Sequence, residues 1–185
     1  MSAAEPAAVL TEELGVALVA LARGAIHERL GAEPPLIREH PLLWRHRAGA
    51  FVTLHVAGAL RGCIGIPEPT RTLGDVVRHC AAAAAFEDPR FPPLRGHELP
   101  VVTLEVSVLS EFVPVADIRT IEIGRHGLVA ERGSRRGLLL PQVAPEFGWS
   151  VEEFLSHTCV KAGLAPFAWQ ADARILSFEA IVFRE

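Results

Sequence analysis

Apolar residues recur along this chain with two periods, three to four in some stretches and two in others. In "TEELGVALVALARGAIHERLG", Leu14, Leu18, Leu21 and Ala25 fall on one helical face, which predicts a first helix with that stripe buried. Thr11 stands at the N-cap, and Glu12 and Glu13 set anions against the positive end of the helix dipole. Gly31 is a natural left-handed stop, and Pro34-Pro35 blocks continuation. Phe51 to Ala57 is β-branched and aromatic, Gly58 marks a turn, and Leu60 to Gly65 pairs back, which predicts a hairpin. Pro67 and Pro69 end its second strand. A second helix opens at Thr72, with Asp75 in a capping-box position and Leu73, Val76, Val77, Cys80, Ala81 and Ala84 on one face.

The segment "FEDPRFPPLRGHELP" holds four prolines and predicts an irregular loop. "VVTLEVSVLS" alternates cleanly, with Val102, Leu104, Val106 and Val108 on one face and Thr103, Glu105 and Ser107 on the other. "IEIG", "GLVAE" and "RGLLLP" read as short strands joined by glycine turns. "SVEE" (Ser150 to Glu153) is a capping-box pattern that starts a helix ended by Gly163, and "RILSFEAIVF" is a last alternating strand. No repeating βαβ pattern appears. The expected class is α+β, mostly antiparallel sheet with flanking helices. Residues 1–10, rich in alanine and proline, are expected to be disordered, and 11–185 to form a single domain.

Composition narrows the function. The chain has 185 residues, a net charge of −4 and a single lysine, Lys161, so no basic stripe for nucleic acid is present. "RGSRR" (Arg132 to Arg136), the one basic cluster, reads as a solvated turn. The first residues lack a basic region and a long apolar run, and "VALVALA" is too short to span a bilayer, so neither a signal peptide nor a membrane partner is expected. Three widely spaced cysteines argue against a disulfide framework and for a cytoplasmic chain with reduced thiols. No CxxC or HxxxH occurs, and His79 and Cys80 are helix neighbours pointing about 100° apart, so neither a metal nor a cofactor is expected.

Candidate chemistry concentrates in "LRGCIG". Strict alternation sets Leu60, Gly62 and Ile64 on one strand face and Arg61, Cys63 and Gly65 on the other. A guanidinium beside a thiol favours the nucleophilic thiolate, and bare glycine backbone suits close approach by a ligand. The packing alternative is a cysteine acting as a small apolar residue between glycines that mark a bulge or a tight contact. His55, on the preceding strand, is a candidate base if the hairpin register, which sequence alone does not fix, sets it across from Arg61 or Cys63, or else an ordinary hydrogen-bonded histidine. Glu87, Asp88 and Arg90 either line a cleft or close the helix end, with Asp88 pairing Arg90. In "LLLPQVAPEFGW", Gln142, Glu146 and Trp149 occupy a scaffolded loop of the kind that carries function, or Trp149 packs as a hydrophobic staple. No GxSxG, P-loop, GxGxxG or HExxH is present.

"LRGCIG", "AFEDPRFPPL", "EVSVLS", "RRGLLLPQVAPEFGW" and "FLSHTCVKAGL" follow one another in order, and together they resemble the AMMECR domain family from about Gly49 to Phe183. The resemblance implies two unequal lobes, a larger α+β lobe and a smaller strand-rich one near 112–140, with the hexapeptide at a cleft between them. The family has no established biochemical activity. Its microbial members are often encoded with, or fused to, Memo-type and radical-SAM proteins, which implies a binding or accessory module in a shared pathway, with those proteins as partners and a small-molecule or peptide ligand in the cleft. The alternative is an enzyme or covalent carrier with Cys63 as nucleophile and Arg61 assisting; Leu60, Gly62, Ile64, Gly65, Arg90 and Gln142 are the candidate binding residues.

Overall fold

In the computed structural model, which describes residues 10–36 and 40–185, the first helix forms where the apolar spacing puts it. Helix α1 (Glu12–Leu30) starts with Thr11 Oγ1 accepting the Leu14 N–H at 3.3 Å and stops at Gly31, whose φ is 65°. Leu14, Leu18, Leu21 and Ala25 are buried as expected. A five-residue helix, α2 (Pro41–Arg45), follows; it is too short for periodicity to announce, and His40 Nδ1 caps it by accepting from Leu42 N at 3.3 Å. The expectation of disorder falls on residues outside those described, save Leu10, which is partly buried against the core.

Strands β1 (Ala50–Val56) and β2 (Ala59–Ile66) form the antiparallel hairpin. Its turn places Ala57 at φ 50° and Gly58 at φ 79°, the two left-handed positions that match the twist of paired strands. Helix α3 (Leu73–Phe86) is capped by Thr72 Oγ1, which accepts from Asp75 N, and its apolar face is buried throughout. Strand β3 (Val102–Leu109) pairs antiparallel with β1, leaving β2 at the sheet edge. Ala50, Val52 and Leu54 on β1 are fully buried in one cluster with α1 and α3.

Two compact units divide the chain: Met1–Val108 with Ile181–Glu185, and Leu109–Ala180. The first holds the elements above. Its C-terminal residues run beside β3, where Glu185 N donates to Leu104 O, Arg184 pairs with Glu105, and Arg23 of α1 pairs with Glu185. The second unit holds β4 (Val113–Pro114), β5 (His126–Arg132), β6 (Arg135–Leu139), α4 (Val143–Phe147), α5 (Val151–Lys161) and most of β7 (Arg174–Arg184). β5 pairs antiparallel with both β6 and β7, and α5 packs over β5 and β6 around Leu128, Ala130, Phe154, Leu155 and Cys159. The molecule is thus α+β with antiparallel strands, and among its described residues no helix is long and apolar enough to cross a membrane.

One predicted strand is absent. "IEIG" forms a turn, because Asp117 accepts from Arg119 N to close a 3₁₀ turn at Ile118–Thr120, Gly124 adopts φ 86°, and the Arg125 and His126 N–H groups both reach Glu122 O. Ile121 is buried as the anchor of that turn, which is why its spacing imitates a strand.

Gly62 fixes how closely α3 approaches β2, since a Cβ there would overlap the Ala84 carbonyl oxygen of the helix backbone. Gly62→Ala is therefore expected to cost about 1–3 kcal/mol by overpacking. Gly96→Ala, at a site with nothing within 4 Å, serves as the control with little effect. Urea unfolding of both variants measures the difference.

Candidate functional site

A β-bulge decides the geometry of the hexapeptide. Thr53 pairs with Cys63 and Leu54 with Gly62, but His55 pairs with Leu60, so Arg61 is an extra residue in the ladder. Directly paired residues share a face, so Leu60 lies on the same face as Cys63, opposite Gly62 and Ile64. This corrects the alternation read from the sequence, which counted straight through the bulge. His55 is likewise not across from Arg61 or Cys63. Thr53 holds the position facing Cys63, and its Oγ1 donates to the sulfur at 3.3 Å.

Arg61 is paired with a carboxylate. Its Nε and Nη2 donate to the two carboxylate oxygens of Glu98 at 2.9 and 3.2 Å, which holds the Glu98 carboxyl below its ordinary range. Glu98 also accepts from Arg95 N at 2.9 Å. The Arg61 side chain is only 13% exposed, and its Nη1 is buried with no hydrogen-bond partner among the described residues, so the guanidinium is enclosed.

The cation near Cys63 is Arg90. Asp88, 4% exposed, accepts the Cys63 N–H on Oδ2 at 2.9 Å, and Arg90 Nη2 donates to the Cys63 carbonyl at 3.3 Å. Arg90 also grips Asp88, from N and Nε to Oδ1 at 3.1 and 3.0 Å and from Nη2 to Oδ2 at 2.7 Å. One carboxylate and one guanidinium thus satisfy the backbone of the edge strand where a neighbouring strand would otherwise pair. The Arg90 bonds, with the Cys63 N–H adding, hold the Asp88 carboxyl well below the carboxylate range despite its burial. Arg90 is correspondingly pushed up by Asp88.

The remaining sequence candidates lie elsewhere or pack. Glu87 caps the end of α3 and pairs with Arg29 of α1 at 3.6 Å on the surface. Gln142 is an exposed residue of the second unit, ahead of α4. Gly65 lies under the ring of cross-strand Phe51, which a Cβ would strike. Two residues that sequence reasoning passed over join the site. Register aligns Cys63, Thr53 and Glu105 in one row across β2, β1 and β3, and Glu105 pairs with Arg184 at 2.7 Å. The alternation of "FVTLHV" carries the signal for Thr53, whereas Glu105 depends on a pairing that sequence does not state. Among the described residues no three His, Cys, Asp or Glu side chains are placed to hold a metal ion.

Folding depresses the Asp88 pKa, so its stabilisation is complete above the ordinary aspartate value near 4 and is lost as pH falls from there toward the folded-state value. Asp88→Asn is expected to cost about 1–2 kcal/mol at neutral pH, kept modest by water around the half-exposed Arg90. The gap between wild type and variant in urea unfolding should narrow below pH 4; a gap constant down to pH 2 would contradict the ion-pair assignment. Burial pushes the Cys80 thiol up to about 11 and raises Cys159 as well, whereas Cys63 is half-buried. Native iodoacetamide labelling near pH 8, read by mass spectrometry, should therefore modify Cys63 and spare the other two until denaturant is added.

Comparison with known proteins shows the family of the chain. The family model described as AMMECR1 matches residues 19–183. A protein of Methanocaldococcus jannaschii is 44% identical over 186 residues, covering 96% of this chain and 92% of the relative. One from Methanothermobacter thermautotrophicus is 46% identical over 187 residues, covering 96% and 97%. The crystal structure of an uncharacterized protein from Pyrococcus horikoshii matches with a TM-score of 0.85 and 43% identity, covering 95% of this chain and 93% of that one. The chain belongs to the AMMECR1 family.

Proposed function

We propose that the protein is a binding or accessory module whose contact surface is the sheet face of the first unit opposite α3, around Leu60, Cys63 and Thr53, in a pathway shared with Memo-type and radical-SAM proteins. One observation carries this reading: the ionic groups of the hexapeptide region are engaged in structure. Arg61 is tied to Glu98, Asp88 and Arg90 are tied to the Cys63 backbone, and the residue facing the sulfur is a hydroxyl that donates to it. A general base needs a group that takes up a proton near the working pH within hydrogen-bond reach; the residue paired with Cys63 is a threonine, which offers none, and His55 on the same face pairs with Leu60. Leu60, 41% exposed on the same face, supplies the apolar contact that a peptide or small-molecule ligand uses. The pathway assignment rests on the family's association with Memo-type and radical-SAM proteins.

A second reading keeps Cys63 as a nucleophile in an enzyme or covalent carrier. It is favoured by the half-buried, reachable sulfur and its hydroxyl donor, since a hydrogen bond to the charged form stabilises a thiolate. In that reading Arg90, not Arg61, is the nearby cation.

Calorimetric titration with a purified Memo-type protein separates the two. Cys63→Ala should bind within about threefold of wild type, and Leu60→Asp should lose at least about tenfold. Loss of binding in both Cys63→Ala and Cys63→Ser, with far-UV circular dichroism unchanged, would transfer the case to the thiol. A wild-type chain that does not bind would remove the proposed partner.

A further inference from the structure

The segment Pro145–Ser150 belongs to the second unit, where it leads from α4 into α5. Gly148, at φ 66°, turns the chain so that its N–H reaches Pro145 O at 3.2 Å and the Trp149 N–H reaches Ala144 O at 2.9 Å. That turn brings two aromatic rings together. Phe147 and Trp149 stack with centroids 4.8 Å apart and planes 15° from parallel. Trp149 stacks in turn on His157, about two turns into α5, at 3.8 Å and 10°. The result is a three-ring ladder whose middle rung, Trp149, is partly buried against the second core cluster.

A staple that only closes the N-terminus of α5 requires Trp149 against the core and nothing outside it. Phe147 is outside it. Trp149 covers one face of its ring, yet the residue is 65% exposed, so the outer face meets solvent. The fixed charges carried by this stretch of the sequence have one sign. Between Arg136 and Lys161 the sequence contains no lysine or arginine, and its three carboxylates, Glu146, Glu152 and Glu153, are all exposed. Glu153 is engaged in the cap of α5, accepting from Ser150 N at 2.8 Å, which holds its carboxyl below the ordinary range. Glu146 adjoins Phe147, and Glu152 lies in the first turn of α5.

An exposed aromatic face on a segment whose fixed charges are all carboxylates suits a planar cation. A guanidinium stacks on the ring while its fork meets a carboxylate, whereas an ammonium has no plane to stack and a phosphate meets a field of its own sign. We propose that the Phe147–Trp149–His157 ladder is a docking site for an arginine side chain on an extended segment of a partner protein, with the guanidinium on the outer face of Phe147 and paired with Glu146 or Glu152.

The test uses the full chain and two fluorescein-labelled nonapeptides of alternating residues, one glycine–arginine and one glycine–lysine, read by anisotropy. The arginine peptide should bind at least about fivefold tighter than the lysine peptide. Phe147→Leu, which keeps apolar bulk but removes the ring, should erase that preference. The Glu146→Gln, Glu152→Gln double variant should weaken both peptides. Equal affinity for the two peptides, or arginine-peptide binding unchanged by Phe147→Leu, overturns the assignment. Displacement of the arginine peptide by adenosine monophosphate, itself dependent on Phe147, would overturn it in favour of a base-stacking site.

Discussion

A buried aspartate holding the edge of a sheet is the contact on which the first unit depends. The Asp88 carboxylate accepts the Cys63 N–H, and Arg90 reaches the Cys63 carbonyl from the same network. Asp88 lies four residues beyond Ala84, whose carbonyl abuts Gly62. The end of α3 is therefore clamped to β2 at two successive residues, once by shape and once by charge. The loop that follows is drawn in as well, since the Leu94 N–H returns to Ala85 O at 2.8 Å. Opening the carboxylate contact would leave both an unsatisfied edge and a buried charge, and each is a costly state.

The same economy of small residues recurs where rings need a seat. Phe51 lies over its cross-strand partner Gly65 in the first unit, and Phe178 lies over its cross-strand partner Gly127 in the second. Phe183 sits against Gly15 of α1 in the same manner. At each place a Cβ would occupy ring space, so the glycine is set by an aromatic neighbour and not by a need for unusual backbone angles. A glycine beside a cysteine invites a ligand-approach reading, but here the protein's own ring and helix fill that space.

These contacts explain which features were legible in the sequence. Caps at Thr11, Thr72 and Ser150 are local, and each formed as read. Helix faces are periodic, and Leu14, Leu18, Val76 and Cys80 are buried accordingly. What depends on pairing between distant segments was not legible. Alternation counted through Arg61 put Leu60 on the wrong face, because a bulge adds a residue without leaving a mark in composition. The same dependence on pairing left open whether His55 faces the thiol, a position that Thr53 holds. Glu98 as the partner of Arg61, and Glu105 in the row of Cys63, are 37 residues and two strands away respectively. "IEIG" failed for a related reason: one buried isoleucine in a turn produces the same local pattern as a strand.

The residues of the hexapeptide can now be separated by what demands them. Gly62 answers to the backbone of α3, Gly65 to the ring of Phe51, Arg61 to Glu98, and Ile64 to the core. The position of Cys63 is held through its N–H and C=O, and every residue but proline offers both. Those contacts specify a backbone, not a thiol. The sulfur and the exposed Leu60 are therefore the features of "LRGCIG" whose identity the packing leaves unspecified, and both sit on the face away from α3, where Thr53 donates to the sulfur. The proposed contact surface is drawn on that face because the edge of β2 at Cys63 is already closed by Asp88 and Arg90.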